Sequence, residues 1–113
     1  MSTPLNPFST LASAAQHSQS LESWYTHVPG LVVICPSSPQ DNYSLLKAAI
    51  ECDDPVVYFE HKNMWDLEGD VDRAEAVAIG EARVRTQGDD MTIVSWSQTA
   101  NFAVEAAETL ADD

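Results

Sequence analysis

Basic residues are scarce in this chain. Five lysines and arginines stand against eighteen aspartates and glutamates, for a formal net charge of −13 over 113 residues. Such a charge repels a polyanion such as DNA, so nucleic-acid binding and docking on anionic membranes are poor fits. Long apolar runs are missing too. The longest, Leu31 to Cys35 and Val56 to Phe59, have strand length and fall far short of the roughly 18 residues that a membrane span needs. Met1 to Ala15 has neither a basic stretch nor a continuous apolar one, so it does not read as a signal peptide. Cysteine is limited to Cys35 and Cys52, with no Cys-x-x-Cys pair. Buried free thiols in a reducing, cytoplasmic setting are therefore expected, rather than a disulfide or a zinc site. There is also no phosphate-binding P-loop, no Gly-x-Ser-x-Gly elbow and no His-Glu-x-x-His.

What is present is an ordinary apolar content. Hydrophobic residues make up 44% of the chain, which excludes a wholly disordered polymer. The acid excess has two readings. One is an acidic cytoplasmic protein. The other is adaptation to high salt, where carboxylates keep the surface hydrated and ions screen their repulsion. The lysines are Lys47 and Lys62 alone, which suits the second reading.

Met1 to Ala15 is rich in Ser, Thr, Ala and Pro and reads as an unstructured leader. Leu21, Trp24 and Tyr25 share one face of a short helix, stopped by Pro29-Gly30. Leu31 to Cys35 is a β-branched run of the kind buried on both faces of a sheet. Ser38 then precedes Pro39, an N-cap followed by proline at the first helical position, and Asp41 falls in the positively polarised first turn. The spacing predicts a helix from about Pro39 to Cys52, packed on its sheet through Leu46 and Ile50. Asp53-Asp54-Pro55 ends it, and Val56 to Glu60 is a second buried strand. Strand, helix and strand with short connections make a parallel βαβ unit. His61 to Glu75 is polar, acidic and without a clear period. Beyond it, Glu81 to Arg85 suggests an edge strand, Met91 to Trp96 a further strand, and Phe102 to Leu110 an amphipathic helix running to the chain end.

Histidine is the natural candidate for proton transfer near neutral pH. His27 sits at a helix end, where its charge meets the helix dipole. His61 follows a strand, the side of an α/β sheet on which ligands gather, or it belongs to a solvated loop. His17 opens the first helix, where an N-terminal cap is the plain structural role.

The string around His17 carries more information. QHSQSLESW, followed by HVPGLVV, LLKAAIE and DPVVYFEHK, resembles the beta subunit of thiamine-diphosphate-dependent 2-oxoacid dehydrogenases, of the pyruvate and acetoin type. The later stretch GEARVRTQGDDMTIVSW resembles that family's entry into its C-terminal domain. The resemblance runs from about Gln16 to Ala111. It implies an α/β fold: residues 16–61 as the C-terminal half of a transketolase-like pyrimidine-binding domain, a linker at 62–78, and the start of the transketolase C-terminal-like domain at 79–113. It also implies a heterotetramer of alpha and beta subunits that oxidatively decarboxylates a 2-oxoacid and passes the acyl unit to the lipoyl group of an acyltransferase. Thiamine diphosphate, held with magnesium mainly by the alpha subunit, is the electron sink of that chemistry. The histidine matching His17 lies near the reacting carbon, so His17 is the catalytic residue implied.

Family members also bind potassium through main-chain carbonyls, and the matching positions are Ala49, Cys52 and Asp54. A helix C-terminus satisfied by water is the alternative there. The family's catalytic glutamate lies upstream of the His-Ser-Gln-Ser segment and has no counterpart in these residues. The expectation is therefore a chain incomplete at both ends and inactive alone. A non-catalytic assembly module that pairs with an alpha subunit is the competing reading.

Overall fold

The computed structural model describes residues 19–111. The leader through Ala15 and His17 lie outside the described residues. Helix α1, Glu22–Thr26, is a single turn and a half whose C-cap is His27. It packs beside strand β1, Val32–Ile34. The ring of Tyr25 meets that of Phe59 at 5.5 Å, tilted by 55°, an arrangement that aromatic quadrupoles favour.

Helix α2 spans Pro39–Glu51. Its start follows the sequence signal closely. Ser38 is extended (φ −149°, ψ 165°), and its hydroxyl accepts the N–H of Asp41 at 3.1 Å. Pro39 has no N–H to leave unpaired. At the other end Cys52 turns extended, and the Asp53-Asp54-Pro55 break delivers strand β2, Val56–Tyr58. The two strands are parallel, in the register Val32↔Val56, Val33↔Val57 and Ile34↔Tyr58. The ladder is extended by Val32 N–H to the Pro55 carbonyl (3.0 Å) and Phe59 N–H to the Ile34 carbonyl (2.8 Å). This is the predicted βαβ unit.

Three expectations need correction. Helix α2 does not seat on the sheet through Leu46 and Ile50, which are 42% and 78% exposed. Leu45, Ala48 and Ala49 are half-buried instead, and Gln40, Asp41 and Ser44 are buried. A stripe that contains adjacent leucines allows two rotations of a helix. The polar first two turns, fixed by their own hydrogen bonds, decide between them. Secondly, Glu81 to Arg85 and Met91 to Trp96 are not strands. A strand exists only as half of a ladder, and these segments find no partner among the described residues. Val94 is left 83% exposed. Thirdly, β1 and β2 are mostly half-buried, with Ile34 alone fully inside. A two-stranded sheet has too few neighbours to cover both faces.

A short 3₁₀ turn, Lys62–Met64, follows β2, and helix α3, Ser97–Ala111, closes the described chain. Asn101 Nδ2 donates to the Ser37 carbonyl at 3.0 Å, and Asn63 Nδ2 reaches Gln98 Oε1 at 3.4 Å. The first turns of α3 are thus tied to the loops that leave β1 and β2. Ala100 is buried there. No described helix is long and apolar enough to cross a membrane.

Candidate functional site

An open groove of about 930 Å³ runs from the carboxyl ends of the two strands along the outer face of α2. Pro36 and the pair Glu60-His61 form its end wall. Tyr43, Leu46 and Ile50 form one side, and Trp65 and Leu67 the other. The location is the one at which parallel sheets place ligands. The lining is mainly apolar, and its charges are Lys47 against Glu51 and Glu60. The outward rotation of α2 creates this groove, because it presents Leu46 and Ile50 to the cleft.

His61 is in the groove wall, but part of it is already engaged. Its Nδ1 accepts the N–H of Asn63 at 3.3 Å and caps the 3₁₀ turn. His27 is exposed at the end of α1, as its helix-end reading requires. The structure does not bring these two histidines into one cluster: among the described residues, no group of three His, Cys, Asp or Glu side chains could hold a metal ion. Cys35 and Cys52 are free and half-buried. Burial, helped by the charge of Glu22, pushes the Cys35 thiol up to about 11, so it is a poor nucleophile. At the helix end, the Ala49 carbonyl accepts the N–H of Cys52 at 3.4 Å, which leaves a lone pair of that oxygen for another partner. Asp54 lies in the exposed bend before β2.

Reading the sequence alone missed a polar cluster on the first two turns of α2. Burial raises the Asp41 carboxyl, but hydrogen bonds from Ser37, Ser38 and Arg83 outweigh it and hold the group below the ordinary carboxylate range. Ser37 Oγ donates to Asp41 Oδ2 at 2.6 Å, and Arg83 Nη1 to Asp41 Oδ1 at 3.0 Å. The other arm of Arg83 holds Glu75 at 2.9 Å. Beside them Tyr58 donates to Asn42 Oδ1 at 2.8 Å, joining β2 to α2. Burial first, then the charges of Glu60, Asp41 and Cys35, push its phenol up to about 12. The place of Asp41 in a first turn capped by Ser38 was legible from Ser38-Pro39. Its partner Arg83, 42 residues away, had no local signal.

With this geometry in view, comparison with known proteins is decisive. Residues 11–66 match the family Transketolase, pyrimidine binding domain. The chain is 48% identical over 102 residues to the beta subunit of acetoin:2,6-dichlorophenolindophenol oxidoreductase from Cupriavidus necator, covering 89% of this chain and 30% of that one. It is 45% identical over 102 residues to the mitochondrial pyruvate dehydrogenase E1 beta subunit of Caenorhabditis elegans, covering 86% and 29%. To the 2-oxoisovalerate dehydrogenase beta subunit of Bacillus subtilis it is 43% identical, covering 88% and 31%. The chain belongs to this family of dehydrogenase beta subunits. It spans about 30% of the length of the curated relatives that it matches, and its parallel βαβ unit lies within the stretch that matches the pyrimidine-binding domain.

For a beta subunit, the described residues do not fit the diphosphate of thiamine diphosphate. The groove supplies Lys47 as its cation and sets two carboxylates beside it. Of the three arginines, Arg83 is engaged by Asp41 and Glu75, Arg85 by Ser37, and Arg73 lies outside the groove, against the small gap beside Lys47 and Glu51.

Proposed function

We propose that the chain acts as part of the beta subunit of a pyruvate dehydrogenase-type decarboxylase component. In this reading the assembly oxidatively decarboxylates a 2-oxoacid and passes the acyl unit to a lipoyl group, and the chain alone does not turn over. The carrying observation is the 48% identity over 102 residues, over a chain whose strand, helix and strand fold as a parallel βαβ unit. The relatives' names leave pyruvate, 2-oxoisovalerate and acetoin all in contention as substrates.

The proposed roles are those that the family resemblance implies. His17, within the matched segment, is the proposed acid–base residue beside the reacting carbon. Thiamine diphosphate with magnesium belongs mainly to the alpha subunit, in keeping with a groove that offers an anion one cation. The carbonyls of Ala49, Cys52 and Asp54 are proposed to take potassium, since helix C-termini carry unpaired acceptors and the negative end of the dipole. The partners are an alpha subunit and a lipoyl acyltransferase in the cytoplasm. Nucleic acid and membranes are not expected partners, given the charge of −13.

The competing role is an assembly module that pairs with the alpha subunit without catalysis. The exposed Leu46, Ile50 and Trp65 of the groove favour it, because a surface of this kind marks an interaction site. One experiment separates the readings. The purified chain is mixed with pyruvate, magnesium and thiamine diphosphate, with and without an alpha subunit, and carbon dioxide and complex formation are both followed. No turnover from the chain alone, with a complex formed when the alpha subunit is added, is expected. Turnover in that complex that is lost in His17→Ala assigns catalysis, and a silent complex assigns the assembly role. Failure to bind any alpha subunit refutes both. Turnover without a partner, abolished by His17→Ala, refutes the claim of inactivity.

A further inference from the structure

A densely hydrogen-bonded place among the described residues lies outside the groove. It is the line along which residues 69–85 cross the first two turns of α2. Gly69 starts the crossing against Pro39, so closely that a Cβ at position 69 would sit 3.2 Å from the proline Cγ. The buried side chain of Gln40 then reads the backbone of the crossing segment as a neighbouring strand would. Its Oε1 accepts the Asp72 N–H at 2.8 Å, while its Nε2 donates to the Asp72 carbonyl (3.0 Å), the Glu75 carbonyl (3.3 Å) and Ser44 Oγ (2.8 Å). Ser44 Oγ adds a bond to the Glu75 carbonyl at 2.9 Å. Val77 is buried next. The chain reverses at Gly80 (φ +88°) and comes back along the helix start. There Arg83 bridges Asp41 and Glu75, and Arg85 Nη1 meets Ser37 Oγ at 3.3 Å.

The segment has no regular secondary structure, and most of its residues are exposed. Its own internal bonds are short-range: Ala74 N–H to Asp72 Oδ1, Glu75 N–H to the Asp72 carbonyl, and Glu81 N–H to the Ala78 carbonyl. Its order therefore depends on α2. A gap of about 140 Å³ remains beneath it, between Lys47 and Glu51 on the helix and Arg73 and Val77 on the segment. Little apolar packing resists its removal, which is the character of a region that opens locally while the rest stays folded. Arg83 joins the two limbs, since it holds both Asp41 at the helix start and Glu75 on the outgoing limb.

We propose that residues 69–85 form a strap that opens and closes on α2 as one unit, with Gln40 as its catch and Arg83 as the link between its limbs. Release at either point frees both limbs. Because Arg85 and Asn101 both bond to Ser37, the closed strap also fixes the loop on which the start of α3 rests.

Limited trypsin digestion of the full 113-residue chain tests this. Arg73 lies in the outgoing limb, and Arg83 and Arg85 in the returning one. Lys47, inside α2, reports on the fold itself. In the unmodified chain, cleavage after Arg73 is expected to be slow. Gln40→Ala is expected to raise it about tenfold, since it removes the part-buried bonds from Gln40 to the segment. Asp41→Asn, which touches only the returning limb, is expected to raise cleavage after Arg73 as well. Glu75→Gln, at a half-exposed position that threatens the fold least, gives a rise of about two- to threefold at Arg73 and Arg83 together. Cleavage after Lys47 stays slow in each variant. If Gln40→Ala unfolds the chain, seen as rapid cleavage after Lys47, the other two variants decide. Asp41→Asn speeding cleavage after Arg83 and Arg85 while Arg73 stays protected would overturn the proposal, because the limbs would then be independent. Rapid cleavage after Arg73 in the unmodified chain would overturn it also.

Discussion

The segments Leu31 to Cys35 and Met91 to Trp96 are close in composition, and their fates differ. Both are short β-branched runs bounded by turn residues. The first becomes β1, in register with β2, and contributes the buried Ile34. The second makes no ladder and leaves Ile93 and Val94 in solvent. The difference is not propensity. The first run has a helix and a second strand within a short loop of it, so the loop-closure cost is small and a partner is at hand. The second is followed by a helix and then by no strand among the described residues. A strand signal therefore reports a demand for a partner and leaves open whether the demand is met.

Substitutions can break this contrast. The largest effect is expected at Ile34. Ile34→Ala removes buried apolar atoms at the carboxyl end of the only ladder among the described residues and should cost about 2–5 kcal/mol, read as a shift in the urea midpoint. A cost under half a kcal/mol would show that the two runs are equivalent after all.

Next comes acid sensitivity centred on α2. The folded Asp41 carboxyl is held below its ordinary range, so its contribution to stability is fully present above the unfolded value of roughly 4. It is lost as pH falls through the lowered folded value. Asp41→Asn should flatten that acid limb in melts taken across the range below about pH 5. An unchanged limb would mean that Arg83 and the serines do not favour the charged form.

Ser38→Ala should cost about 1 kcal/mol by removing the bond to the Asp41 N–H. The loss should appear as faster amide exchange in the first turn of α2. The smallest effect is expected at Val94, where Val94→Ala should stay within about 0.5 kcal/mol. A larger loss in the chain alone would show that the unpaired run packs against another part of it.

The same contrast explains what was legible. Strands β1 and β2 and helix α2 were readable because their signals are local: a β-branched run, Ser38-Pro39 before a periodic stretch, and Asp53-Asp54-Pro55 after it. The family was readable from QHSQSLESW and DPVVYFEHK. The rotation of α2 was not, because Leu45 and Leu46 compete for one face and the choice is made by Gln40, Asp41 and Ser44 through contacts about thirty residues or more away. The same distance hid Arg83 as the partner of Asp41. The groove depends on that rotation, so it too was beyond a local reading: Leu46 and Ile50 read as core positions, and His61 alone of the wall read as a functional candidate. His17, the residue on which the catalytic reading rests, lies outside the described residues.

The turn at Gly80 has a consequence for handedness. Its φ of +88° is a conformation that L residues adopt only under strain, yet a Cβ built there meets nothing within 4 Å. The requirement is thus one of chirality and not of room. A D-alanine, introduced at position 80 by chemical ligation, would place its methyl group in the mirror-image allowed region. It should stabilise the turn by about 0.4–1 kcal/mol by restricting the unfolded chain, while L-alanine at the same position should destabilise it. One stereocentre, with composition, charge and volume unchanged, would then set the sign of the effect.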